Sequence, residues 1–242
     1  MAEFALIFVV ALGAAFLQRV AGFGFGIMFM SVMPFFAPSY AEALTLSGTL
    51  ALICATVSGI RYRKWLCWRK LVVILPFFLV TSFFAGSVVT KVDSMILKRI
   101  LGGALLLAGL FFILTDGKMK VNCSVPMQAF LGTLSGITGG LFGIQGPPAV
   151  IYFLSCTDRK EEYVALAQWY FICANISMTL YRIREGFFTT YVATGWLAGV
   201  CAVLLGLWLG SFVYGKVPMQ FLRKGIYIFI ALIGLAVLIG LR

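Results

Sequence analysis

Histidine is absent from this chain of 242 residues, and acidic residues are scarce. Without imidazole groups there is no histidine-based metal site, no Ser–His or Cys–His nucleophile pair and no histidine proton relay. Of the eight acidic residues, only Glu42 falls at the start of a predicted helix, and the others fall in termini or predicted loops. The sequence therefore predicts a protein that is not an enzyme, holds no metal or other cofactor, and has no membrane-embedded carboxylate for carrying protons.

Paired cysteine motifs are also missing. The six cysteines include no C-x-x-C pair, and the chain has no histidine to complete a metal site, so neither zinc binding nor a redox motif is indicated. We expect buried, unreactive thiols at all six positions. They are Cys54, Cys67, Cys123, Cys156, Cys173 and Cys201.

Charged residues make up only 11% of the chain, whereas hydrophobic residues make up 62% and the mean hydropathy is +1.05. Soluble domains contain roughly 45 to 50% apolar residues, so the composition predicts an integral membrane protein in contact with the lipid bilayer. A bilayer core about 30 Å thick needs around 20 apolar residues per helix. Several apolar runs reach that length, and the shorter ones are interrupted by glycines.

The basic residues carry a topology signal. Five of the 19 lie in one short connection, Arg61–Lys70, which flanks predicted helices. Counted by side, the face with this connection has roughly twice as many basic residues as the opposite face, and cytoplasmic loops are the ones enriched in Lys and Arg. We expect that face in the cytoplasm of a bacterium, both termini outside, a multi-pass protein of the inner membrane, and no nucleic-acid partner.

The chain resembles itself at an offset of 119 residues. This offset places Gly24 on Gly143 and the triplet Ile53–Ala55 on Ile172–Ala174. We predict two transmembrane repeats, 1–120 and 121–242, in one all-α, polytopic membrane domain. Each repeat is expected to hold a short, glycine-broken helix pair followed by three transmembrane helices. An odd number of crossings per repeat inverts the second repeat, and whether the broken pairs are re-entrant or fully spanning stays open.

The glycine breaks have a functional interpretation. Irregular backbone at membrane depth must be buried in protein or line a cavity, and matching breaks in inverted repeats indicate a substrate site. Exposed backbone N–H groups at a helix N-terminus bind anions, so the breaks predict an anion cradle. Close helix packing is the alternative, and Gly132, Gly136 and Gly140 have the spacing for it. The glycines assigned to the cradle are Gly22, Gly24, Gly140, Gly143 and Gly146.

Two stretches carry a family resemblance. GITGGLFGIQGPPAVIYFL at 136–154 and GFGFGIMFMSVMP at 22–34, together with the two-repeat layout, resemble the TauE/SafE family of sulfite-exporter-like permeases. The resemblance implies transport of sulfur-bearing anions such as sulfite, sulfoacetate or other organosulfonates. Many relatives have Gly-Gly before the proline pair, whereas this chain has Gln145-Gly146, which adds a side-chain amide.

Polar residues within apolar runs complete the predicted substrate site. Arg19 precedes the first break, where its guanidinium could bind a sulfonate through two hydrogen bonds, although a snorkelling anchor is the alternative. Gln18 and Gln145 could supply neutral donors. Gln168 and Asn175 are seven residues apart on one helix face and could line the same cavity, with interhelical hydrogen bonds as the alternative.

These observations predict a permease that exports a small sulfur-containing anion. A membrane potential contributes about 2.3 kcal/mol per charge per 100 mV, and with a negative cell interior it drives an anion outward without a coupling ion. Ion-coupled uptake of a small organic anion and a non-transporting membrane subunit are the alternatives. A homodimer is left open as the assembly state.

Overall fold

The computed structural model describes residues 2–115, 121–213, 231–232 and 234–235. The regular structure of these residues is entirely helical, which confirms the all-α prediction. Five helical stretches are long and apolar enough to span a bilayer. Residues 116–120 and 214–230 and most of the predicted last helix lie outside the described residues. The helices are α1 (Ala2–Ala21), α2 (Phe25–Val32), α3 (Tyr40–Tyr62), α4 (Trp68–Val72), α5 (Ile74–Val89), α6 (Ser94–Thr115), α7 (Val125–Phe142), α8 (Gly146–Ser155), α9 (Lys160–Arg184) and α10 (Thr190–Val213).

The glycine breaks divide each broken segment into a long and a short helix. Helices α1 and α7 have 20 and 18 residues, whereas α2 and α8 have eight and ten. At 1.5 Å per residue the short helices extend only about 12 to 15 Å, half of a bilayer core. The prediction of two short segments per pair is thus corrected for the first member. Gln18 and Arg19 lie within α1, near its end, and both side chains are buried.

Three helix pairs form the most extensive contacts of the described residues. Helix α1 packs on α10, α5 packs on α7, and α3 packs on α9. Exchanging the two predicted repeats converts the first pair into the second and leaves the third pair unchanged. The helix pairing therefore has the pattern that two related repeats require, while the inversion and the boundary at residue 120 remain predictions.

Glycines allow two of these helix pairs to approach closely. A β carbon on Gly132 or Gly140 of α7 would lie 2.8 or 2.6 Å from a backbone carbonyl oxygen of α5. On α10, Gly206 and Gly210 lie in the same way against the backbone of α1. Glycine is needed here because interhelical packing in membranes depends on close backbone contact.

Two of the six cysteines form a disulfide, which corrects the prediction of six free thiols. Cys123, just before α7, and Cys156, at the end of α8, have Cα atoms 5.7 Å apart and are bonded. Their positions 33 residues apart gave no sequence signal, because cysteine pairing cannot be deduced from spacing alone. Of the free thiols, Cys54 is buried and Cys201 is exposed.

Candidate functional site

Two cavities lie along the boundary between the predicted repeats. The larger has a volume of about 460 Å³ and is lined by the end of α1, the end of α3 and the α8–α9 connection. We call it the vestibule. The smaller, about 30 Å³, lies between the two glycine breaks; we call it the inner cavity. A space of this size holds a water molecule or two but no sulfonate. The structure is therefore open at the vestibule and closed at the breaks.

The first break depends on two glycines with left-handed backbone. Gly22 has φ of 85° and Gly24 has φ of 109°. Residues other than glycine adopt this backbone region only with strain. Gly24 stands immediately before α2, and Met28 N–H donates to its carbonyl at 3.0 Å. The break thus ends α1 at the vestibule and begins α2 at the inner cavity.

The second break has one left-handed glycine. Gly143 follows α7 with φ of 68°, and its N–H donates to the carbonyl of Gly139 at 3.0 Å. Helix α8 restarts at Gly146, with Pro147 and Pro148 in its first turn, where a missing N–H breaks no helical bond. Gly143, Gln145 and Gly146 all line the inner cavity.

The N-terminal ends of α2 and α8 meet at the inner cavity, and neither is capped by a side chain. The positive ends of both helix dipoles therefore lie at this point. Their donors are unequal. The first turn of α2 offers the backbone N–H groups of Phe25–Ile27. In the first turn of α8, Pro147 and Pro148 have no backbone N–H, so only the N–H of Gly146 is available there. Gln145 adds its side-chain amide on the α8 side.

Gly26 was not among the predicted site residues, yet it brings the two breaks together. The carbonyl oxygen of Gly143 occupies the space that a β carbon on Gly26 would need. This contact joins two positions far apart in the sequence, so only the fold reveals it. Gly26 also lines the inner cavity.

Two glutamines separate the vestibule from the inner cavity. Gln18 Nε2 on α1 donates to Gln168 Oε1 on α9 at 3.1 Å, and Gln168 Nε2 donates to the carbonyl of Gly22 at 2.8 Å. Gln18 lines both cavities and Gln168 lines the vestibule. The pair ties the end of α1 to α9 at the point that an anion moving from one cavity to the other must pass.

A second amide pair lies on the other side of the inner cavity. Gln145 Nε2 donates to Asn175 Oδ1 at 3.1 Å. The backbone carbonyl of Gln145 accepts a hydrogen bond of 2.5 Å from the Ser135 hydroxyl, and this hydroxyl accepts one of 2.7 Å from the Tyr170 hydroxyl. The Nδ2 atom of Asn175 is buried and has no hydrogen-bond partner. The predicted Gln168–Asn175 face thus contacts both cavities, and Asn175 keeps an unused donor.

Arg19 lines the vestibule and is only 9% exposed. Its Cβ and Cγ atoms lie 2.8 and 2.9 Å from the position of a β carbon on Gly210, so its aliphatic part packs against α10. The guanidinium is held at the end of α1 beside the first break. The side chain therefore lies in the wall of the vestibule, and its role in anion binding remains a prediction.

Gly140 lies away from both cavities, although it was predicted as part of the cradle. It packs against α5, where a β carbon would lie 2.6 Å from the carbonyl oxygen of Ser82 and 2.7 Å from the Ala85 side chain. The packing interpretation therefore accounts for this glycine.

Arg182 is a buried cation that was not among the predicted site residues. It is 3% exposed and lies near the end of α9, where it donates to the carbonyls of Leu44 at 3.1 Å and Gly139 at 3.5 Å. The available signal was periodicity, since residue 182 falls seven positions after Asn175 on the same helix face. The neighbouring Arg184 and Glu185 are exposed, so the local sequence does not distinguish the buried Arg182 from a surface charge.

Acidic side chains stay away from the inner cavity in the described part of the chain. Asp158 lies at the vestibule, and Glu162 forms an ion pair of 2.7 Å with Lys70. Glu42 accepts hydrogen bonds from Ser39 and Thr189 at the start of α3. No cluster of potential metal ligands occurs among these residues.

Comparison with known proteins places this geometry in context. The family model described as "Sulfite exporter TauE/SafE" matches residues 7–237. A relative from Cupriavidus necator, described as "Probable sulfite/organosulfonate exporter TauE", is 24% identical over 211 residues, which cover 82% of this chain and 80% of the relative. No solved structure matches the chain.

Proposed function

Because the chain belongs to the sulfite exporter TauE/SafE family, we propose that it exports a sulfur-containing monoanion or dianion, such as sulfite or an organosulfonate, across the inner membrane of a bacterium. The family is one of membrane exporters, and the relative from Cupriavidus necator carries this substrate class in its name. The two-repeat, inverted architecture is part of the proposal.

One observation carries the assignment of an anion. Two uncapped helix N-termini and the buried Arg19 lie along one line of cavities, and none of the described residues places a carboxylate at its narrow point. An anion gains from the helix dipoles and from the guanidinium, whereas a cation would be repelled by both. A sulfonate presents three oxygens, which match a fork of N–H donors from arginine and the backbone.

The proposed route begins at the vestibule. This cavity lies at the bundle end that carries Arg61–Lys70, the face predicted to be cytoplasmic, so the described state accepts substrate from inside the cell. Arg19 binds the anion first. Separation of Gln18 from Gln168 then admits it to the inner cavity, which must widen, because about 30 Å³ is too small for a sulfonate.

The membrane potential alone is the proposed driving force. It is worth about 2.3 kcal/mol per charge per 100 mV, and no described acidic residue stands at the inner cavity to take up a proton with the substrate.

A binding screen followed by efflux tests this function. The purified protein is heated with sulfite, sulfoacetate, isethionate, taurine, thiosulfate or lactate, since a ligand that binds only the folded state raises the melting temperature. Ligands that do so are loaded into proteoliposomes and their efflux is compared with that from protein-free vesicles. Stabilisation and efflux of the sulfur anions, with little for lactate, are expected. Efflux of none of them would contradict the proposal.

A further inference from the structure

A polar stripe runs along the face of α9 that is directed towards the interior of the helix bundle. Gln168, Asn175, Thr179 and Arg182 follow one another at spacings of seven, four and three residues, which places them on one side of a helix. Gln168 and Arg182 are about 21 Å apart at 1.5 Å per residue. The stripe begins at the vestibule, passes the inner cavity at Asn175 and ends at the opposite end of the bundle, which we call the far side.

The far-side end of this stripe has unused hydrogen-bonding capacity. Arg182 has five N–H donors, and the described residues accept hydrogen bonds from two of its nitrogens, both through backbone carbonyls. No carboxylate of the described residues forms an ion pair with it. The Nδ2 atom of Asn175 and the hydroxyl of Thr179 are also buried without a hydrogen-bond partner. Buried polar groups are normally satisfied, so two unpartnered groups beside a cation with spare donors indicate a missing ligand.

These groups converge on Gly48 of α3, which lines the inner cavity. A β carbon on Gly48 would lie 2.8 Å from Arg182 Nη1, 3.8 Å from Asn175 Oδ1 and 3.9 Å from Thr179 Oγ1. Glycine at this position therefore leaves the guanidinium in contact with the wall of the cavity. A single oxyanion in a widened inner cavity would be within reach of all three side chains.

We infer that Arg182, with Asn175 and Thr179, forms a second anion subsite, which receives the substrate from Arg19 and releases it at the far side. This inference rests on the proposed export function. In the described state Arg182 donates to the carbonyls of Leu44 on α3 and Gly139 on α7, and the hydroxyl of Tyr40 on α3 donates to the carbonyl of Leu141 at 2.9 Å. These bonds close the far side.

Opening the far side requires the hydrogen bonds from Arg182 to the carbonyls of Leu44 and Gly139 to break. An anion then becomes the acceptor for the released N–H groups of the guanidinium. The exchange keeps the guanidinium hydrogen-bonded in both states. It also places one buried cation on each side of the inner cavity, so an anion meets a positive charge at both ends of the low-dielectric segment.

The test separates a required positive charge from a structural tie. Arg182→Gln keeps a neutral donor for the carbonyls but loses the charge, whereas Arg182→Lys keeps the charge but cannot bridge both carbonyls. Arg184→Gln, which alters an exposed arginine on the same helix, is the control. Efflux of labelled isethionate is measured from proteoliposomes at fixed potential, and binding is measured by thermal shift.

We expect efflux through the Gln variant to fall more than tenfold and the Lys variant to recover at least a third of wild-type efflux. Arg184→Gln should stay within twofold of wild type. The apparent dissociation constant of the Gln variant should also stay within twofold, because the vestibule and Arg19 are intact. Wild-type efflux through Arg182→Gln, or a Gln variant that is at least as active as the Lys variant, would overturn the inference.

A second pair of variants covers the possibility that neither Arg182 variant folds. Thr179→Val removes the hydroxyl, Asn175→Leu removes the amide that also accepts a hydrogen bond from Gln145, and both leave the arginine in place. Each should lower efflux at least fivefold. Thr56→Val on α3 is their control, because the Thr56 hydroxyl bonds only the carbonyl of Leu52 on its own helix. Normal efflux in both variants would overturn the inference. Absence of efflux in the wild type for every sulfur anion would instead contradict the proposed function itself.

Discussion

Gly26 and Gly143 belong to different helical breaks and are in direct contact, because the carbonyl oxygen of Gly143 fills the space of a β carbon on Gly26. Any side chain at position 26 must therefore push the two breaks apart. Both residues line the inner cavity, so the contact fixes the separation of the helix N-termini that are proposed to bind the anion.

Gly26→Ala is predicted to lower both thermal stability and anion efflux, the latter by more than tenfold, since no flexible side chain is available to move aside. Gly103→Ala is the matched control, because nothing lies within 4 Å of a β carbon at that position on α6. The control should retain efflux within twofold and gain slightly in helix propensity. Equal efflux in the two variants would show that the spacing of the breaks is unimportant.

Gly143→Ala tests the backbone conformation rather than the contact. Gly143 and Gly186 both have positive φ, of 68° and 77°, but Gly186 lies in the α9–α10 connection with no atom within 4 Å of a β carbon. Alanine in this region costs about 1 to 2 kcal/mol at either position. Both variants should melt at lower temperature, and only Gly143→Ala should lose efflux. Loss of efflux in Gly186→Ala as well would attribute the effect to stability alone.

Arg19→Gln is predicted to abolish both isethionate binding and efflux while leaving expression and elution from a sizing column unchanged. Arg19→Lys should restore only part of the efflux, because an ammonium group cannot form the two parallel hydrogen bonds of a guanidinium. The exposed Arg99 on α6 provides the control variant Arg99→Gln. Unchanged binding in Arg19→Gln would reduce Arg19 to a structural anchor.

The Cys123–Cys156 pair tests the orientation of the protein in the membrane. Both cysteines lie at the end of the bundle that the basic residues assign to the cytoplasm, where thiols are kept reduced. The structure contains the oxidised pair, and on the cytoplasmic orientation we expect that pair to be reduced to two thiols in growing cells and to be bonded only after exposure to oxidant. The measurement is maleimide labelling of acid-quenched cells that express a variant lacking the other four cysteines. Labelling that requires a reductant would place this end in the periplasm and reverse the orientation.

Much of the fold could be predicted from the sequence, because membrane helices are specified by long apolar runs and breaks by glycine and proline. The breaks at Gly24 and Gly143 were located in this way, and the polar face from Gln168 to Asn175 followed from helical periodicity. Local sequence patterns could not show that Gly26 contacts Gly143 or that Cys123 is bonded to Cys156. Both contacts depend on how segments distant in sequence pack together.

Arg182 illustrates a different limit. A charge near the end of an apolar run usually reaches the membrane surface, so the sequence around Arg182 gives no reason to expect burial. Burial of Arg182 depends on the carbonyls of Leu44 and Gly139, which α3 and α7 place beside it. Gly140 lies outside both cavities for a different reason, because a glycine for packing and a glycine for a break have the same sequence signature.

In the proposed mechanism a sulfur anion crosses under the membrane potential alone, without a coupled proton. The direct test is flux of isethionate, a strong-acid sulfonate that stays ionised, in proteoliposomes at fixed potential between about pH 6 and 8. Backbone N–H groups do not titrate, and no carboxylate of the described residues lines the inner cavity, so we predict a flux that follows potential and concentration gradient and changes less than twofold with pH. Uphill movement of isethionate driven by a pH gradient at zero potential would contradict the account.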